Sequence, residues 1–141
     1  MRASIVASGI VAILSGLNLL NIATSMTLKP HIPGGASEFI IFARISGALL
    51  TVCAAFGIAT AVALFKHKRW ARIAIQGFGV ALAVISIPAG AGVLVAGTAS
   101  PELARSARYF AHLLIYPAQI VIAIWWLILF NTRTAKNILA A

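Results

Sequence analysis

Few residues in this chain carry groups able to do chemistry, and they gather in two places. Arg44 stands about two turns inside a long apolar run. Further on, Arg105, Arg108, His112, Tyr116 and Gln119 follow one another at steps of three, four, four and three, which is one face of a helix, with Tyr109 beside Arg108. A polar stripe in apolar surroundings points into a bundle, a cavity or a partner. Two uses are open. One is interhelical hydrogen bonding, worth about 0.6 kcal/mol per contact. The other is a hydrophilic pocket, opening between the second and fourth apolar runs and lined by Arg44, Arg108, Tyr109, His112, Tyr116 and Gln119, for a lipid headgroup, a quinone or a small polar solute.

An unpaired guanidinium at membrane depth costs about 2.5–3.5 kcal/mol at the centre and less near the boundary, so Arg44 calls for a counter-ion. Glu38 lies six positions earlier on the same run, and six steps of 100° put it on another face. Residues 38–50 match 102–114 at an offset of 64, with Glu38, Ala43, Arg44, Leu49 and Leu50 opposite Glu102, Ala107, Arg108, Leu113 and Leu114. Read as a repeat, this predicts crossed ion pairs, Glu102 with Arg44 and Glu38 with Arg108. The competing expectation is an arginine that reaches out to lipid phosphate or water.

Other chemistries find little support. His31, Glu38, Glu102 and His112 could hold zinc or copper if loops gathered them, but no close His-x-x-x-His spacing is present and no metal is expected. A bis-histidine haem needs two intramembrane histidines, and only His112 lies within an apolar run. Cys53 is the one cysteine, which excludes a dithiol relay. No Ser/His/Asp set, P-loop or carboxylate pair at depth is visible. The expectation is no catalytic residue, no cofactor, and a protein that is not an enzyme.

The elements that must position these residues follow from composition. Of 141 residues, 62% are hydrophobic and 9% charged, and the mean hydropathy is +1.03. Two acidic and eleven basic residues cannot make the charged shell of a soluble domain of this size. Four apolar runs, about 3–26, 38–65, 70–97 and 101–131, each meet the roughly 20 residues a helix needs to cross hydrocarbon. Strands of a membrane barrel would be half as long and alternate in polarity. The first run exceeds the apolar core of a signal peptide and is read as a span. The predicted fold is an all-α integral membrane bundle of four transmembrane helices in one domain, 1–141.

Charge orients it. Arg2, Lys66, Lys68, Arg69, Arg72, Arg133 and Lys136 share one side, against Lys29, Arg44, Arg105 and Arg108 with both acids on the other. Seven against four places both termini, and the opening basic stretch, in the cytoplasm. "KHKRWAR" then reads as a topology lock that touches anionic headgroups. Lys66, Lys68, Arg69, Trp70 and Arg72, with Trp125 and Trp126 on the last run, are the expected interface anchors. The cations sit in short clusters between apolar runs rather than on one solvated face, so nucleic acid is not an expected partner.

Local signals refine the runs. "KPHIPGGASE" (29–38) is a loop of breakers with Ser37 as N-cap. Ser100, Pro101 and Glu102 read as the cap and first turn of a helix of some 30 residues, kinked near Leu113 to Pro117. "IPAGAG" (87–92) predicts a bend in the third run. Ser4, Ser8, Ser15, Asn18 and Ser25 form a seam on the first run, for which Gly47, Thr51 and Ala55 offer a complementary small face.

The turn "ALFKHKRWARIAI", the Pro/Gly break after it, the final "WLILFNTRTAKNIL" and the Ala43-Arg44 start of the second run resemble small bacterial four-helix inner-membrane proteins of unknown function, DoxX-like in layout. The resemblance implies a bacterial inner-membrane protein and carries over no catalytic residue. Small multidrug transporters share the size but carry an acidic residue in the first helix, which this chain lacks. The first expectation is therefore a non-enzymatic membrane subunit or accessory protein that assembles with itself or with other membrane subunits, in contact with membrane lipids. The second is the binding or transport pocket described above, and the third a redox enzyme's membrane anchor.

Overall fold

A computed structural model describes residues 2–28 and 37–140, without the side chains of residues 37–39, 103, 108 and 140. The breaker loop with Lys29 and His31 lies outside the described residues. All described elements are helical: α1 (Arg2–Leu28), α2 (Ser37–Phe65), α3 (Ala71–Ala99), α4 (Pro101–Ala104), α5 (Ala107–Asn131) and α6 (Arg133–Ala140). Arg2–Leu28, Ile40–Phe65, Ala71–Ala99 and Tyr109–Asn131 are long and apolar enough to cross a membrane. Their outward side chains suit that solvent: Leu14, Val52, Val84 and Leu114 are 60 to 73% exposed in mid-helix. Hydrocarbon accepts such a surface and water does not.

Two compact units make up the chain, Met1–Ile75 with Leu139–Ala141, and Gln76–Ile138. In the first, α1 and α2 pack antiparallel. α1 buries Ile5, Ser8, Gly9, Ala12, Ser15, Gly16, Leu19 and Ala23, a stripe of mostly small residues that lets the backbones close in. A Cβ built on Gly16 would stand 3.1 Å from the Ala54 carbonyl oxygen, and one on Gly47 would stand 3.0 Å from that of Ala23. Gly9 meets the Phe65 ring at the other end of the pair.

The small face of α2 differs from the one expected. Gly47 is in the contact, but Thr51 and Ala55 are exposed, and Ala43, Ala54, Gly57 and Ala61 are buried instead. Strict steps of four advance 400° and drift around the helix, whereas a straight contact alternates threes and fours. Five hydroxyls of the pair bond within their own helix. Ser8, Ser25, Thr27, Thr51 and Thr60 each donate to the carbonyl four residues back on their own helix, at 2.8 to 3.0 Å. That carbonyl is always within reach of a helical Ser or Thr. The seam works here through small size.

α2 stops at a closed turn. Lys68 N–H donates to Ala63 C=O at 2.9 Å and His67 N–H to Leu64 C=O at 3.0 Å, the paired bonds of a Schellman cap. His67 takes the left-handed position, φ 52°, that glycine usually fills.

In the second unit α3 and α5 pack antiparallel. Both stay helical through Pro88 and Pro117. The single helix expected over 101–131 is interrupted: α4 ends at Ala104 and α5 starts at Ala107. Ser106, extended at φ −76° and ψ 141°, caps α5 by accepting the Tyr109 N–H at 3.2 Å. Extended backbone at a cap cannot continue the turn before it, so the chain breaks there. Thr132 separates α5 from α6. Its hydroxyl donates to Leu129 C=O at 2.7 Å and accepts from Ala135 N–H at 3.3 Å, closing one helix and opening the next. The last helix expected from the sequence ends at 131; beyond it the structure adds α6, whose Ala135 and Leu139 are buried while Arg133 and Lys136 are exposed.

Candidate functional site

The polar stripe of α5 supplies the residues from which a site can be built. Most of its inner members turn toward α3. Gln119, buried, accepts a hydrogen bond from the buried Ser86 hydroxyl at 2.6 Å through Oε1. Tyr116 is buried with its Cβ 3.4 Å from a Cβ built on Gly90, and a Cβ built on Gly97 would meet the end of the Tyr109 ring, which would have to shift. His112 is half-buried, its ring 6.0 Å from that of Tyr116. Lower down, Trp126 stacks on Phe78 at 6.0 Å and sits over Gly79.

The ladder is one of large side chains on α5 seated on small positions of α3: Gly79, Ser86, Gly90 and Gly97. Sequence reasoning does not single out these partners. Their spacing of seven, four and seven is a helical seam legible in the sequence, obscured by the Pro/Gly segment that drew attention to bending instead. Tyr109, Tyr116 and Gln119 thus find partners on α3 that a reading centred on the second and fourth apolar runs did not provide. Arg105 lies in the break between α4 and α5, exposed, and so leaves the helical stripe it was counted in.

The remaining predicted residues fall as follows. Arg44 is exposed on α2, flanked by exposed Ile41 and Ile45. It belongs to the first unit, whereas Glu102, exposed in α4, belongs to the second. The side chains of Glu38 and Arg108 lie outside the described residues, so the crossed pairs stand as proposals. Lys66, Lys68, Arg69 and Trp70 are exposed in the α2–α3 turn, and Arg72 is half-buried in the first turn of α3. Trp125 is half-buried. Trp126, expected as an interface anchor, is fully buried; a side chain inside the packing cannot reach headgroups, and its large ring fills the space over Gly79 instead.

The chemistry available from this arrangement is limited. Among the described residues no group of three or more His, Cys, Asp or Glu could hold a metal ion. The Gln76 amide nitrogen and the Trp126 indole nitrogen are buried with no acceptor among the described residues.

Four helices long and apolar enough to cross a membrane, with apolar side chains facing outward, are compatible with a multi-pass membrane protein and suggest that class. Comparison with protein-family models, with curated proteins and with solved structures finds no match.

Proposed function

We propose that this chain is a non-enzymatic inner-membrane subunit or accessory protein, both termini cytoplasmic, which assembles with copies of itself or with other membrane subunits. The observation that carries the reading is the Ser86–Gln119 bond within the α3–α5 ladder. The deepest polar group of the α5 stripe is spent on holding two helices together, and Tyr116 and Tyr109 serve the same seam. Polar groups used for packing support an assembly role over a solute pocket. The outward faces of α1, α2 and α3 supply apolar surface for lipid or for partner helices.

The test is a native mass measurement after extraction in mild detergent. An oligomer or a hetero-complex is the expected result; a monomer that retains a small molecule would overturn it. One observation favours the pocket as a second reading: His112 stays half-exposed beside Tyr116, at the outer part of the same stripe. Arg44→Leu separates the two readings. Unchanged assembly with loss of a bound lipid, quinone or polar solute marks a pocket, and unchanged assembly with no ligand in either form leaves the subunit role.

A further inference from the structure

We infer that the α2–α3 turn, together with the start of α1, is a docking surface selective for the headgroups of anionic phospholipids. Because Gly9 packs against Phe65, the last residue of α2, the N-terminal end of α1 and the basic turn occupy the same end of the first unit. That end carries Arg2, Lys66, Lys68 and Arg72 besides Arg69, which has a contact of its own. Glu38, the one acid in this unit's sequence, sits in the first turn of α2, at the opposite end. Among the described residues no Asp or Glu lies at the basic end of the unit.

Two further features choose a lipid over a nucleic acid or a free anion. Exposed apolar side chains adjoin the cations: Phe65, Trp70 and Ile73 are 39, 51 and 66% exposed. Cations beside apolar groups match a ligand that is anionic at one end and hydrocarbon at the other. The turn is also closed by backbone hydrogen bonds to the Ala63 and Leu64 carbonyls and continued by the Ala71 N–H on Lys68 C=O at 3.1 Å. A preformed turn loses little freedom when its lysines engage phosphate.

The inference rests on membrane residence, and is independent of the assembly role. The experiment takes the full chain reconstituted in mixed phosphatidylcholine and phosphatidylglycerol vesicles, extracts it gently and counts bound lipids by native mass spectrometry. A ratio of bound phosphatidylglycerol to phosphatidylcholine roughly tenfold above the bulk ratio is expected, falling toward the bulk ratio in K66Q/K68Q/R72Q and in 0.5 M salt. The control R133Q/K136Q, which removes two charges from α6 against three from the turn, is expected to keep it. No enrichment in the wild type, equal loss in the control, or displacement by 10 mM inorganic phosphate would each overturn the inference. Where the triple variant fails to fold, the single variants K66Q and K68Q decide the matter: each is expected to lower the enrichment in part, and no change in either would overturn the inference. A chain that does not stay with the vesicles would instead sink the membrane reading itself.

Discussion

Gly16→Ala tests whether α1 and α2 are held by backbone proximity. The added methyl would meet Ile58 Cγ1 at 3.0 Å and the Ala54 carbonyl oxygen at 3.1 Å, both well inside ordinary contact of about 3.5–4.0 Å. Ile58 can turn, but the carbonyl belongs to the helix backbone and yields only if the helices part. Overpacking of this kind costs about 1–3 kcal/mol. Replacing glycine by alanine in a helix also gains about 0.8–1 kcal/mol of propensity, which would mask the loss in a single measurement. Gly77→Ala provides the reference, since a Cβ there meets nothing within 4 Å. The propensity gain is common to both variants, so their difference isolates the packing cost. In reversible unfolding in mixed micelles, followed by far-ultraviolet circular dichroism, G16A is expected to be about 1–3 kcal/mol less stable than G77A, which is roughly 5- to 150-fold in the folded population. Equal stability within about 0.3 kcal/mol would refute close backbone packing as the basis of the α1–α2 pair.

Ser86→Ala leaves Gln119 Oε1 without its donor and is expected to cost about 0.6–1.7 kcal/mol in the same assay, with S86A/Q119L recovering part of it because neither polar group is then stranded. His67→Gly is expected to stabilise by about 1 kcal/mol, by relieving the left-handed backbone at φ 52°, and His67→Val to destabilise by at least as much. Equal melting of those two variants would remove the cap argument.

How far the site was legible depends on the kind of signal. Gln119 and Tyr116 stood out as polar or large groups at helical spacing, because periodicity is written in the chain. Their partners did not, since Ser86 and Gly90 are ordinary small residues until a particular helix faces them. Trp126 shows the same limit: a tryptophan near a span end fits an interface or a core equally well by sequence, and only its place over Gly79 decides between them. The break before α5 lay in a serine that reads as one more polar residue until its backbone is seen to be extended.

Hydropathy and length, by themselves, determined the all-helical character and the number of long apolar helices, because each helix satisfies its own backbone and hydrocarbon demands about twenty apolar residues whatever the neighbours do. The tertiary structure alone decided which face of each helix is inner. In a chain apolar all round, the period of hydrophobicity no longer distinguishes packing from lipid contact, and the choice passes to shape: where glycine, alanine and serine allow close approach, and where a tyrosine or tryptophan finds a gap to fill.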